Sequence, residues 1–396
     1  MQTAQISVVG AGIAGLSSAL ALSALDGAIV DVFERQSSLS VAGAGIQLGP
    51  NAFAAIHALD QKLFRALVLK ALYPRALVMR DMESGKTLTR LTLGNHMTQA
   101  FGKPYGVMHR ADLQNALLAA CQSKSNIRFH WGREDNKQIA PSQTLTVRAD
   151  GLWSNASKAP IDARGLALRG SYPVSNLSPD QIEVRLWVSP HRHIVSYPVR
   201  VPGESSMQMN WVAFLSGKLY QHALRQLQLN GSQFDQKSWL MEINSSSIVS
   251  LFDDVCSDVK IELEQLQNTS AWRVFKGAMQ PAKEWVKSTG AARSILIGDA
   301  AHAMLPHLAQ GAALALEDSL ALAHRLKADS NIDLALEGFV RERIARSHHA
   351  QRQAARYGKI YHASGLVRLG RNLVLKAPAL APKYGGLEWL YSYRDA

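Results

Sequence analysis

RSILIGDAAHAMLPHLAQGAALALEDSL, residues 293–320, is the stretch around which the rest of the chain is organised. Ser294 to Ile297 is a short apolar run of the kind that forms a buried strand, and Gly298-Asp299 ends it in a turn. Asp299 then stands at the carboxyl end of a strand, where open α/β sheets hold their ligands. After a loop containing Pro306, the small residues from Gly311 to Ala315 predict a helix whose start carries no large side chain. Bare N–H groups at such a start, with the helix dipole behind them, favour negative charge. A strand-end carboxylate beside them suits a planar ligand with hydroxyls on one side and an electron-rich ring on the other; a reduced flavin is one. An ordinary strand–loop–helix unit with a solvated Asp is the plainer reading of the same residues.

Working outward, the N-terminus supplies a second ligand signal. Gln5 to Val9 is an apolar strand, Gly10-Ala11-Gly12-Ile13-Ala14-Gly15 follows, a helix runs to about Leu25, and Ala28 to Phe33 is a strand ending at Glu34-Arg35. In this order G-x-G-x-x-G gives a tight turn at Gly10, backbone approach to a pyrophosphate at Gly12 and close helix–strand packing at Gly15. Glu34, about twenty residues on, can hold a ribose hydroxyl. An adenine dinucleotide is therefore expected; this unit alone does not separate FAD from NAD.

Between the two ends, GAGIQLGPN at 43–51 reads as a loop that lets backbone approach a ligand. Arg110 opens a helix as a phosphate-contact candidate. Thr144 to Val147 is a strand ending in a second strand-end carboxylate, Asp150-Gly151. From Tyr172 the pattern changes to antiparallel strands: 182–188, 193–199 and 207–215. The expected fold class is α/β: a three-layer Rossmann-like FAD-binding domain of the glutathione-reductase type, with an inserted β-rich α+β substrate domain and C-terminal helices. Residues 1–72, 103–171 and 273–332 are assigned to the first, 73–102 and 172–272 to the second, and 333–396 to the helices. The cleft between the two domains is the expected active site.

Composition bounds the function. The chain has 396 residues, 47% hydrophobic and 19% charged, as in globular proteins. Cys121 and Cys256 are the two cysteines, in no metal-ligand spacing, so neither a disulfide nor a metal site is expected and a reducing, cytoplasmic setting is. No apolar run reaches membrane-span length, and the apolar N-terminus lacks the basic start of a signal peptide. The net charge of +12 favours anionic partners. Its concentration on residues 333–376 reads as a solvated basic helix face, and no nucleic-acid partner is expected.

The three motifs, in order, resemble the group A flavoprotein monooxygenases, the para-hydroxybenzoate hydroxylase family. GAGIQLGPNA, HRADL at 109–113, SYPV at 196–199, GDAAH with a downstream P-x-x-x-Q-G, and Glu388-Trp389-Leu390-Tyr391 are most similar to the branch of salicylate, 6-hydroxynicotinate and 3-hydroxybenzoate hydroxylases. The resemblance spans nearly the whole chain. It implies one non-covalent FAD, with Gly10, Gly12, Ala14, Gly15, Glu34 and Arg35 on its ADP half. It places Arg110 on the phosphate or ribityl region, Asp299 on a ribityl hydroxyl, Gly311 and Ala312 at the pyrimidine end of the flavin, and Gln47 across the ring. Asp150 belongs to a segment tied to FAD and NAD(P)H, and Pro306 lies beside the ring where oxygen is activated. The chain departs from the family at Arg148, where Gly is usual, at Ser157, where Arg is usual, at Ala303, where Pro is common, at Gln47, where some relatives carry His, and in a short 131–148 region.

The implied chemistry is reduction of FAD by NADH or NADPH, formation of a flavin hydroperoxide with O2, and transfer of one oxygen to an anionic, hydroxylated aromatic or pyridine carboxylate. A base near the substrate hydroxyl aids this, because a phenolate is the better nucleophile. His193 and Tyr197, with His191, fall on one face of a strand by period two. Together with His307 they are the candidate catalytic and substrate residues, and Gln47 is a further polar contact. The solvent face of an antiparallel sheet is the plainer reading of the same spacing. Trp211, carried as a substrate contact, also fits the core, and His302 fits a structural role. A monomer or homodimer is expected. An FAD epoxidase or dehydrogenase of a lipophilic substrate, and a non-catalytic flavin-binding sensor, are the alternatives.

Overall fold

Apolar runs buried on both faces pair as parallel strands covered by helices. In the computed structural model the order across a six-stranded sheet is Val286–Thr289, Ala292–Leu296, Leu145–Arg148, Gln5–Val9, Ile29–Glu34 and Ile127–Trp131. All neighbours run parallel except the first pair. The structure describes residues 5–39, 44–133, 145–175, 177–229, 240–377 and 383–393; Gly43 and Thr144, named above, lie outside them.

Helices Ile13–Leu22 and Gly311–Ala328 cover this sheet and clasp each other through the hydroxyls of Ser17 and Ser18, 2.7 and 2.9 Å from that of Ser319. The contact needs small residues. A Cβ on Gly15 would lie 1.8 Å from the Gly10 carbonyl oxygen, and one on Gly298 (φ +56°) 2.8 Å from the Ala14 methyl. The glycine-rich turn and the Gly298-Asp299 turn are thus packed against one another.

The second sheet has eight strands, ordered Leu240–Glu242, Gln267–Lys276, Ile161–Val174, Met207–Ser216, Arg192–Arg200, Glu183–Ser189, Ala76–Asp81 and Thr87–Thr92. Only the Glu183–Ser189 and Ala76–Asp81 pair is parallel. This corrects the expected boundary at 172, since the strand that enters the sheet begins at Ile161. One face of the sheet packs on short helices through Trp211, Leu215, Leu251, Phe252 and Leu263; the other faces the flavin-domain motifs. A two-stranded ribbon, Gly45–Leu48 with Gly106–His109, joins the halves.

The long helix Ile332–Tyr361 corrects another expectation. Its basic residues are not all solvated: Arg343 is wholly buried and donates to Asp318 and Glu317, both at 2.8 Å. Arg346 adds two hydrogen bonds to Glu317. Asp318 also accepts from the Gly298 N–H at 3.0 Å and lies 2.6 Å from His302 Nε2. Burial alone would raise the Asp318 carboxyl, but His302 and Arg343 hold it far below the usual carboxylate range. Breaking a buried pair strands a charge at large cost, so this cluster anchors the turn that presents Asp299. His302 belongs to it and is structural.

Candidate active site

The candidate cofactor-side residues lie on neighbouring turns. A Cβ on Gly12 would meet nothing within 4 Å, and the helix that Gly12 starts has no side-chain cap. Its N–H groups are therefore open to a pyrophosphate. Glu34 closes that turn by accepting from the Ala11 N–H at 2.8 Å, while Arg35 is exposed beside it. Asp150 stands over the same turn, paired with Arg148 at 2.9 Å. The departure at Arg148 thus supplies Asp150 with a cation.

Asp299 lies at the start of the Gly311–Ala328 helix: a Cβ on Gly311 would be 3.8 Å from its Oδ1. It is exposed by area but sits deep between elements, and desolvation raises its carboxyl, opposed by His302 and Arg110. Arg110 faces it across the cleft. Gln310 caps the helix without a side-chain bond, which leaves the Gly311 and Ala312 N–H groups for a ligand. This set fits FAD: anion-binding amides at two helix starts, a cation, and a carboxylate for hydroxyls. Replacing Asp299 by Ala is expected to weaken FAD about ten- to a hundredfold, as loss of a hydrogen bond to a charged group does. Equilibrium FAD titration of the apoprotein measures this, and unchanged affinity contradicts the placement.

The opposite wall is the inner face of the eight-stranded sheet. Register places it in rows: Tyr197, Asn210 and Ser171; then Val195, Val212 and Arg169; then His193, Phe214 and Ala167. In the first row the Asn210 side chain accepts from the Gly45 N–H at 2.7 Å, and a Cβ on Gly45 would strike Tyr197 at 2.6 Å. Tyr197 is hydrogen-bonded to Gln47, whose Oε1 also accepts from Tyr105 at 2.6 Å. Burial pushes the Tyr197 phenol upward, so it serves as a neutral donor and not as a base.

Arg169, in the middle row, carries the strongest signal that the sequence reading missed. Its guanidinium lies 4.2 Å from the centroid of Trp272, and its Nε is buried without a hydrogen bond. Among the described residues it has no salt bridge. It lines a cavity of about 670 Å³ with Gly45, Ser171, Gln208, Asn210 and Trp272, rimmed by the exposed Glu242. A desolvated cation without a counter-charge is costly, and an anionic ligand would relieve it.

In the third row His193 is 1% exposed and stacks on Phe214, with ring centroids 4.8 Å apart. His307 crosses it at 5.1 Å. His307 fits against the long helix because residue 358 is Gly: a Cβ there would lie 2.5 Å from its ring. Pro306, next to it, is exposed. Two expectations are corrected here. His191 does not continue the face, because it sits in the hairpin turn with φ +64°. Trp211 is fully buried on the opposite face, one register step from Asn210, and cannot meet a substrate in the cleft. Tyr197 and His193 share the inner face but stand apart on it, since four strand residues span about 13 Å.

Burial drives all three cleft histidines towards the neutral form. His307 falls to about 4, and His362, with His307, His191 and Arg371 adding to burial, to about 3. His193 falls well below its ordinary value for the same first reason, with His362 and His307 adding to it. Unfolded histidine titrates near ~6.5, so between there and the folded values the unfolded chain binds more protons. Stability is then full above that window and lost as pH falls through it. The Tm is expected to drop steadily from pH 7 to about 4, with a shallower slope in His362→Gln. An equal slope in that variant contradicts a buried neutral His362.

The geometry fits a flavin-binding protein, and the comparisons show the family to which the chain belongs. Residues 109–354 match the FAD binding domain family, and residues 8–68 match the NAD(P)-binding Rossmann-like domain family. The chain is 30% identical to a 3-hydroxybenzoate 6-hydroxylase of Polaromonas naphthalenivorans, over 98% of this chain and 95% of that one. It is 27% identical to a 6-hydroxynicotinate 3-monooxygenase of Bordetella bronchiseptica, over 93% of both. A salicylate hydroxylase substrate complex shares the fold, with a TM-score of 0.75 at 21% identity over 99% of this chain and 96% of that one. The chain belongs to the FAD-dependent aromatic hydroxylases. It is an enzyme that uses FAD with NAD(P)H, and no helix among its described residues is long and apolar enough to cross a membrane.

Proposed function

We propose that this monooxygenase acts on an aromatic or pyridine ring carrying both a hydroxyl and a carboxylate. The observation that carries the reading is Arg169, a half-buried cation whose Nε is enclosed without a hydrogen bond and which has no carboxylate partner among the described residues. The relatives named above act on a hydroxybenzoate and a hydroxynicotinate, rings with these two groups. Arg169 holds the carboxylate, and Trp272 and Val212 flank it on the sheet. Tyr197 and Gln47 close one end of the cleft with neutral hydrogen-bonding groups, and Pro306 and His307 line the other.

Gly12, Arg110, Asp299 and Gly311 would hold FAD without a covalent link, and the bound cofactor would supply the oxygen-activating chemistry. The chain's own part is to orient the ring, exclude water and take the hydroxyl proton at His193 Nε2, which raises the electron density of the ring. A guanidinium in the middle of the sheet counts against a lipophilic alkene or alicyclic substrate. The test is a panel of hydroxylated aromatic acids and matched neutral phenols, scored by stimulated NAD(P)H oxidation with identification of the product. The reading predicts stimulation and a hydroxylated product with the acids; efficient turnover of the neutral compounds alone overturns it.

A further inference from the structure

The helix Gly365–Lys376, which follows the long helix, is turned inside out. A helix of a globular protein buries an apolar stripe and shows its charges to water. In this one the buried residue is Arg371, while Leu366, Val367, Leu369, Leu373 and Val374 are between 42% and 86% exposed. Leu366, Leu369 and Leu373 recur at i, i+3 and i+7, with the two valines beside them, so the five form a single face. They are five of the eleven large exposed hydrophobic side chains among the described residues. Such clustering marks an interaction surface, where single scattered residues would not.

The polar edge holds the helix in this orientation. Arg368 donates to Asp81 at 2.7 Å and to Glu83 at 3.0 Å. Arg371 Nη1 donates to the carbonyl oxygens of Ile360 and Tyr361 at 2.9 and 3.0 Å, at the end of the long helix. These bonds face the protein, which leaves the apolar side turned outward.

Charge decides what covers that side. From Arg343 to Leu387 the sequence has nine Lys and Arg and no Asp or Glu. Arg356 and Lys376, both exposed, line the same cavity of about 1060 Å³ as Val367 and Val374. Lys86, also exposed, lies in a second cavity with Leu366 and Leu369. The carboxylates lining these two cavities, Asp81 and Glu83, are both held by Arg368. A second copy docked face to face would bring these cations against themselves, because a two-fold interface repeats each residue on both sides. An anionic lipid surface pairs with them and takes up the aliphatic side chains. The 12 residues of the helix reach about 18 Å, too short to cross a bilayer, so it lies along the surface.

We propose that the helix Gly365–Lys376 docks the enzyme on an anionic bilayer surface. Leu366, Leu369 and Leu373 enter the boundary between headgroups and acyl chains, and Lys86, Arg356 and Lys376 meet the headgroups. None of these residues belongs to the candidate flavin site or to the substrate cleft, so docking and hydroxylation are separable.

The test is co-sedimentation of the full-length FAD-loaded protein with vesicles of phosphatidylglycerol mixed with phosphatidylcholine, and with vesicles of phosphatidylcholine alone. Binding is expected to be about ten- to a hundredfold tighter on the anionic vesicles, as three surface cations supply, and to weaken at high salt. Leu369→Gln/Leu373→Gln should lower the affinity for them by at least about tenfold, with the flavin spectrum and the kcat in solution unchanged. Arg356→Gln/Lys376→Gln should lose most of the preference for the anionic vesicles. Absence of binding to either vesicle overturns the proposal. So does binding that both double substitutions leave unchanged, which places the contact elsewhere on the basic surface. A concentration-dependent dimer in light scattering that Leu369→Gln/Leu373→Gln dissolves, without vesicle binding, assigns the face to a second copy and likewise overturns it.

Discussion

Replacing His193 by alanine is expected to slow hydroxylation by about 10²–10⁴-fold, the range that positioned proton transfer supplies. The loss should sit in kcat more than in KM, because in the proposed reading His193 meets the hydroxyl and not the carboxylate. FAD affinity should hold, since His193 belongs to the eight-stranded sheet and not to the proposed flavin site of Gly12, Arg110, Asp299 and Gly311. Oxygen activation should continue against a less reactive ring, so NAD(P)H consumption should uncouple from product and release hydrogen peroxide. Raising the pH until the substrate is already ionised should recover part of the rate. Hydroxylation at the parent rate, with the parent pH profile, would show that the proton leaves by another route; His307, 5.1 Å away, is then the next candidate.

Replacing Arg169 by methionine should raise KM for an aromatic acid strongly. Truncating one partner of a buried charge pair costs about 2–5 kcal/mol, which at ~1.4 kcal/mol per decade is roughly thirty-fold to several thousand-fold. The apolar replacement keeps the contact with Trp272, so the sheet should fold and FAD should bind as before. The same change should do little to the binding of the matching amide, which brings no charge to the site. Titration of both ligands against the flavin absorbance of parent and variant separates these cases. Equal loss for acid and amide would mean that Arg169 is a packing residue.

The parts of this molecule that were legible in the sequence are those where backbone geometry restricts the residue type. Gly15, Gly298 and Gly12 each stand where a side chain would strike backbone, strike a neighbouring helix, or fill a ligand cradle. Local spacing therefore carries the flavin half of the proposed site. The substrate half depends on which way each strand faces, and that is set by partners far away. Arg169 is a single charge within GLALRGSY, and its meaning appears only when register aligns it with Val212 and Val195. Trp211 and Asn210 are adjacent in sequence yet point to opposite faces, so a one-residue difference decides which of them meets the cleft. His191 fits the alternation but lies beyond the strand's end. His362 stands 169 residues from His193 with no motif to link them. Arg343 and Arg346 read as solvated charges, because their partners, Glu317 and Asp318, lie in another helix.

The most direct measurement of the central claim is a comparison of kcat/KM for a hydroxybenzoate and its neutral hydroxybenzamide, in the parent and in Arg169→Met, with the hydroxylated product quantified in each. The account predicts a large preference for the acid in the parent that collapses towards parity in the variant, while the amide is turned over at a similar rate by both. A preference of the same size in parent and variant, or a parent that hydroxylates the amide as well as the acid, would contradict it.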